Sequence, residues 1–166
     1  MSIGNADLCK AIVAAWGTYA LDAQFQTYWD ASLRDKFPAL NDAEAEASHP
    51  HPYCVFTVDK PNVNARMSYG STIGGRHIRD VPVEFTIYAR DPGGAESAKV
   101  IAAKMAEEIM KVFGGHPTTA NRIDGYSLDN GNILIFQFDA DYGMRIDIEN
   151  YSWHVNYLAR LDVPVA

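Results

Sequence analysis

The sequence predicts an α+β fold, in which a largely antiparallel sheet carries two helices packed on one face and a long hairpin arm. Three observations support this class. An alternating apolar run at Val81–Ala89 indicates a strand, an amphipathic stretch directly after it indicates a helix, and the last third of the chain contains a series of alternating segments. The order of elements is a helix, a strand, an arm, a strand, a helix and then a meander of strands.

The segment from Asp80 to Phe113 predicts a strand and a helix that share one apolar layer. Residues 91–94, Asp-Pro-Gly-Gly, end the strand, because proline cannot donate a ladder hydrogen bond. Apolar residues then recur at three- and four-residue spacing until Gly114-Gly115. The predicted inward strand residues are Val81, Val83, Phe85, Ile87 and Ala89, and the helix stripe is Ala98, Ile101, Ala102, Met105, Ile109, Val112 and Phe113.

The N-terminal third predicts a second helix and one further strand. Asn5 or Asp7 can cap a short helix whose apolar face consists of Leu8, Ile12, Ala15, Trp16 and Tyr19. Residues 41–48 predict a solvated helical turn that ends at the His-Pro-His-Pro run of residues 49–52. Residues 53–59 then have the β-branched and aromatic content of a strand, with Cys54, Phe56 and Val58 facing the core.

The last third predicts strands throughout. Asn130-Gly131 lies between two apolar runs and indicates a two-residue hairpin turn. Arg145–Glu149 alternates, which predicts a strand with Met144, Ile146 and Ile148 on one face. A final alternating series runs from Tyr151 to Leu161.

Residues 60–79 differ from the strands that flank them, because large apolar side chains are few and glycine, proline and asparagine are frequent. Such a segment cannot form its own core, so it predicts a long hairpin arm or a surface loop. If it is an arm, it makes an intermolecular contact through three apolar anchors and three arginines. These candidate interaction residues are Arg66, Met67, Tyr69, Ile73, Arg76 and Arg79.

Length and composition indicate one folded domain over residues 1–166, since 48% of the residues are apolar and 21% are charged. The formal net charge of -7 argues against a general surface for nucleic acid or anionic membrane, because phosphates would be repelled. No signal peptide is recognisable, and no apolar run approaches the roughly 20 residues that a bilayer span needs. These features predict a cytoplasmic protein.

No set of residues predicts a catalytic, cofactor or metal site, so the chain is expected not to be an enzyme. The histidines at 49, 51 and 77 with Cys54 lack zinc-site spacing, and Asp139, Asp141 and Asp147 lack a calcium-loop pattern. Residues 70–76 lack the ending of a phosphate-binding loop. Cys9 with His116 or His154 as base remains an alternative, although Cys9 and Cys54 are more typical of buried free thiols.

The order of these elements resembles the tail-terminator or tail-completion proteins of tailed bacteriophages. The resemblance rests on a first helix ending near Trp16, the strand entered at Pro52-Tyr53, and residues 83–89 followed by a helix closing at Val112-Phe113. A closing strand at residues 153–157 completes it. It spans most of the chain, but it is a pattern of elements rather than a motif of chemistry.

The resemblance implies a structural virion protein that forms a ring, usually of six subunits, on the head-proximal end of the tail tube. Its partners would be other copies of itself, the tail tube protein and a head-tail connector or stopper, with DNA passing through the lumen without specific binding. Assembly would take place in the host cytoplasm, and the mature location would be the neck of the virion. Another neck ring, or a small ligand-binding or enzymatic domain, is the alternative.

Overall fold

A computed structural model describes residues 5–18, 33–34, 52–59, 62–63, 76–91, 93, 96–117, 127–128 and 131–164. They form two helices and one seven-stranded sheet. The helices are α1 (Asn5–Thr18) and α2 (Ala98–Phe113). The strands are β1 (Leu33–Arg34), β2 (Tyr53–Val58), β3 (Asn62–Val63), β4 (Arg76–Arg90), β5 (Ser127–Leu128), β6 (Gly131–Arg145) and β7 (Asn150–Pro164).

The sheet is built around the antiparallel pair β4 and β7. Both strands have 15 residues and pair along their whole length, from Arg76 opposite Pro164 to Arg90 opposite Asn150. The strand order is β1-β2-β4-β7-β6-β5, and β3 pairs with β4 on the side where β2 also lies. Only β1 and β2 pair in parallel among the described strands, so the sheet is largely antiparallel as predicted.

One face of the sheet is the core face, because the alternation of β4 and β7 directs their apolar residues to the same side. The five inward residues predicted for β4 are at most 1% exposed. Aromatic rings join the strands to α2: Phe85 stacks on Phe113 at 4.9 Å between centroids, and Phe136 stacks on Tyr157 at 4.9 Å. The buried Tyr157 hydroxyl donates to the carbonyl oxygen of Gly114 at 2.7 Å, which ties β7 to the end of α2.

Both predicted helices are confirmed. The apolar stripe of α2 is buried as predicted, and α2 packs against β4, β6 and β7. It ends at Gly114, whose φ of 118° is a conformation that glycine adopts readily and other residues rarely do. The apolar face of α1, including Leu8, Ile12 and Trp16, belongs to the same hydrophobic cluster.

The strand predictions were confirmed with one exception. The predicted strand at Arg145–Glu149 is wrong, because β6 ends at Arg145 and the next four residues form the turn into β7. The alternation of Met144, Ile146 and Ile148 therefore does not mark a core face: they are 51%, 51% and 86% exposed. The hairpin predicted at Asn130-Gly131 is present, but Gly131 opens β6 opposite Leu128 and so lies in the ladder rather than in the turn.

Both cysteines are free thiols as predicted, with Cys54 buried and Cys9 partly buried. Cys54 is fully buried in β2, and burial raises the pKa of its thiol well above the usual range. Cys9 lies in α1 and is partly buried against the core. A thiol with a raised pKa carries little thiolate at neutral pH, so Cys54 has the character of a packing residue rather than a nucleophile.

Candidate assembly surface

The hairpin of β6 and β7 ends in a tightly bonded turn. The Asp147 carboxylate accepts hydrogen bonds from the backbone N–H groups of Glu149 and Asn150, both at 2.8 Å, and from the Asn150 side-chain amide. These bonds, led by the one from the Asn150 side chain, lower the pKa of Asp147. Backbone bonds from the N–H groups of Ile146 and Asp147 to the Asn150 carbonyl close the turn. The turn therefore has a defined shape on its own.

Four large apolar side chains are exposed at this end of the molecule. Tyr142, Met144, Ile146 and Ile148 are 47%, 51%, 51% and 86% exposed. Asp91 follows β4 at the same end, and its N–H donates to the Glu149 carbonyl at 2.7 Å. We call Asp91 and residues 141–149 the hairpin tip. Exposed apolar side chains at the end of a structured hairpin are typical of a protein contact surface.

The outer edge of β6 is long and open among the described strands. β5 pairs only with Gly131 and Asn132 there, so the described residues leave the edge from Ile133 to Arg145 without a neighbouring strand. Two irregularities interrupt the pairing of β6 with β7, between Ile133 and Ile135 and between Phe138 and Ala140. An edge of this kind can accept a segment of another chain, and bulges limit which segments fit.

The predicted interaction residues fall partly outside the described residues. Arg66, Met67, Tyr69 and Ile73 lie there, and their role stays a prediction. Arg76 is the first residue of β4, and Arg79 lies in β4 opposite Leu161 of β7 and Val63 of β3. The last four residues of the predicted arm thus belong to the central strand β4, and Asn62 and Val63 form β3 beside it.

The opposite face of the sheet carries a polar row that the sequence pattern alone does not single out. His154 lies between two partners: its Nδ1 is 2.8 Å from Glu84 Oε1 and its Nε2 is 3.1 Å from Ser152 Oγ. Thr86 donates to the same Glu84 oxygen, and the Tyr142 ring stacks on the His154 ring at 4.7 Å. The signal in the sequence is the alternation itself, because positions 84 and 86 of β4 and positions 152 and 154 of β7 project to one side.

A serine, a histidine and a carboxylate in this order are the constellation of acyl-transfer enzymes. Ser152, however, is 1% exposed, and its hydroxyl donates to the Met144 carbonyl across the ladder at 3.3 Å. A nucleophile must reach an external carbonyl carbon, and this hydroxyl is enclosed by the sheet. The row therefore has the character of a network that fixes β4, β7 and β6 to one another.

Other polar groups on this face follow the same pattern. Arg160 binds Asp80 through two hydrogen bonds, at 2.7 Å and 3.2 Å, and this pairing raises the pKa of Arg160. A shallow depression of about 290 Å³ is lined in part by Asp59, Glu84 and Asp139. No group of three or more potential metal ligands occurs among the residues that the structure describes. Asp141 lies on the core side of the sheet, opposite Val155, and accepts a hydrogen bond from Trp153 Nε1 at 2.9 Å.

No described helix is long and apolar enough to cross a membrane.

Comparison with known proteins gives one informative result. No protein-family model matches the chain, and no curated protein matches it. A solved structure, the virion of a native gene transfer agent particle, contains a chain of similar fold, with a TM-score of 0.52 and 16% sequence identity. The similarity covers 97% of this chain and 99% of that one. At this identity the match shows a shared fold along nearly the whole length of both chains.

Proposed function

We propose that this protein is a structural component of a phage-like virion, and within it a subunit of the ring that terminates the tail at the neck. The observation that carries the proposal is the fold shared, over 97% of the chain, with a chain from a gene transfer agent virion. The order of sequence elements, which resembles tail-terminator proteins, supports the same class independently of that match.

The sheet supports ring formation because its two sides are different. β1 and β2 lie on one side, and the long β6 with its short neighbour β5 lies on the other. A contact that joins one side to the unlike side of the next copy is heterologous, and such contacts close into rings when the rotation permits. The ring would contact the tail tube protein on one side and the head connector or stopper on the other.

The proposed role is non-enzymatic, and the geometry of the polar row is compatible with it. The described residues bring a serine, a histidine and a glutamate together, but the serine is buried in the ladder and donates to a backbone carbonyl. We assign the row to the stability of the sheet. No cofactor or metal is needed for a protein that acts by forming a ring.

The test is to locate the protein in particles and to remove it. Gold-labelled antibody against a tagged copy should mark the junction of head and tail in negative-stain images, and particles made without the protein should carry tails of irregular length. Label at the junction with tails of normal length would instead favour another neck ring, such as a connector or stopper. Label on the capsid or the distal tail end would contradict the neck assignment.

A further inference from the structure

We propose that the hairpin tip of one copy binds the basic segment of a second copy, residues 60–79. This inference rests on the proposed function, because it names the contact through which the ring would form. The two surfaces carry opposite charges, and both contain large apolar side chains. The hairpin tip and the described ends of residues 60–79 lie at different corners of the sheet.

The charges of the two surfaces are complementary. Residues 60–79 contain four basic side chains, Lys60, Arg66, Arg76 and Arg79, and no acidic one. The hairpin tip contains four carboxylates, Asp91, Asp141, Asp147 and Glu149, with Arg145 as its one basic side chain. In a chain with a formal net charge of -7, the basic segment is the natural partner of an acidic surface on another copy.

The apolar side chains of the tip are exposed, because no described residue of the same chain packs over them. Ile148 is 86% exposed, and Met144 and Ile146 are each 51% exposed. Exposed isoleucine, methionine and tyrosine side chains at one end of a hairpin favour binding, because burying them removes apolar area from water. Between β3 and β4, the basic segment contains three large apolar residues, Met67, Tyr69 and Ile73.

Geometry makes a contact with the turn of the tip, residues 146–149, intermolecular. The basic segment leaves the sheet where Val63 pairs with Arg79, whereas the turn lies where Arg90 pairs with Asn150. Eleven residues of extended β4 separate the two points, which is about 37 Å at roughly 3.4 Å per residue. Residues 64–75 join Val63 to Arg76, so chain length alone lets them extend at most about 20 Å from these two ends. The turn of the same copy is therefore out of reach.

The tip is also shaped before any partner arrives. Asp147 holds the turn through its bonds to Glu149 and Asn150, and Arg145 Nε donates to the Asp147 carbonyl at 3.0 Å. A preformed surface loses little conformational entropy on binding. A tip bound to a distant corner of the next copy is a head-to-tail contact, as a ring requires.

The experiment reverses the charges of each surface in turn. One variant carries Asp91→Lys and Glu149→Lys, and the other carries Arg66→Glu and Arg76→Glu. Each alone should lower the self-association constant at least about tenfold in sedimentation at low salt, because two attractive pairs become repulsive. A one-to-one mixture of the two variants should recover association, since each reversed surface then meets its complement. Circular dichroism verifies that both variants are folded.

A second pair of variants tests the apolar part. Ile148→Ser should weaken association about fivefold to tenfold, because serine buries much less apolar area in the contact than isoleucine does. Val13→Ser is the matched control: Val13 is 52% exposed on α1, away from the tip, and its replacement should leave association unchanged.

The outcomes separate this inference from the proposed function. Self-association that is unaffected by both charge-reversed variants, or a mixture that fails to recover it, overturns the tip contact and leaves the neck assignment intact. A wild-type chain that remains monomeric at every concentration also overturns the tip contact. The location of the protein in particles is decided separately by the labelled images.

Discussion

Asp147 shows how one exposed residue organises a turn. Its carboxylate accepts hydrogen bonds from two backbone N–H groups and one side-chain amide, and these bonds lower its pKa. Aspartate is favoured at such positions because its short side chain reaches the backbone two or three residues ahead. The orientation of Ile146 and Ile148 depends on this local arrangement.

Replacing Asp147 should therefore make stability depend less on pH. A lowered pKa in the folded state means that Asp147 stabilises the protein above the pKa of the unfolded chain and loses this contribution as pH falls through the folded pKa. Asp147→Ala should unfold at a lower temperature than the wild type at pH 7, and the difference should shrink below pH 3.8, the ordinary pKa of the group.

Thermal unfolding followed by circular dichroism between pH 2 and pH 7 measures this difference. Asp139→Ala, at an exposed aspartate of the same hairpin, is the control. A difference between Asp147→Ala and wild type that stays constant down to pH 2 would show that the carboxylate does not act through its charge.

At the scale of elements, the pairing of β6 with β7 depends on a close approach of their backbones at Gly131. The sequence indicates this approach only in part. Gly131 has a φ of 148°, and a Cβ at this position would overlap the backbone carbonyl oxygen of Asp162. The Asn-Gly pair did predict a hairpin, but the glycine serves the approach of β6 to β7 rather than the turn. Local pattern does not reveal such an approach, because the neighbouring strand comes from residues 150–164.

Gly131→Ala should destabilise the protein by about 2–3 kcal/mol, since both the backbone conformation and the packing resist a side chain. The corresponding fall in melting temperature is about 4–12 °C for a chain of this size. Gly93→Ala is the control, because Gly93 has a φ of 69° but a Cβ there would meet nothing within 4 Å. Its cost should be only about 1 kcal/mol. Equal losses in the two variants would mean that Gly131 matters only for its φ.

Alternation of apolar residues correctly predicted most strands of the sheet, but it wrongly predicted a strand at the hairpin tip. Both results have the same cause. Val81 to Ala89 and Tyr151 to Leu161 alternate because one face of each strand is buried, and the structure confirms both strands. Met144, Ile146 and Ile148 alternate as well, yet they are exposed. Alternation indicates that one face of a strand is suited to burial. It does not indicate whether residues of the same chain bury that face.

The polar row could not be predicted for a related reason. Glu84 and His154 are separated by 70 positions in the chain, and their contact depends on the register in which Glu84 faces Asn156 and Thr86 faces His154. The sequence shows which residues project to the polar face. It does not fix the register that places a histidine between a serine and a glutamate.

At the scale of the whole molecule, the net negative charge disfavours binding to DNA, whereas a local basic segment can still bind an acidic protein surface. The formal net charge is -7, while the basic residues of the 60–79 segment are concentrated in one region. In a ring the negative charge is repeated around the lumen, which would let DNA pass without adhering because like charges repel.

The isolated protein should therefore bind duplex DNA more weakly than about 0.1 mM at physiological salt, the weak limit of ordinary non-specific binding. Fluorescence anisotropy of a labelled duplex measures this directly. The variant with Arg66→Glu and Arg76→Glu serves as a control, because any residual signal that comes from the basic segment should disappear in it. Tight binding that weakens steeply with salt would contradict the lumen assigned to the ring.

The bulges of β6 have a consequence for which partners the edge admits. Regular strands of identical copies can stack edge to edge without limit, and this growth is the route to fibres. The interruptions next to Leu134 and Asp139 break the even spacing that such stacking needs, so a second β6 cannot follow the first along its length. The backbone thus disfavours open-ended stacking through this edge before any side chain is compared.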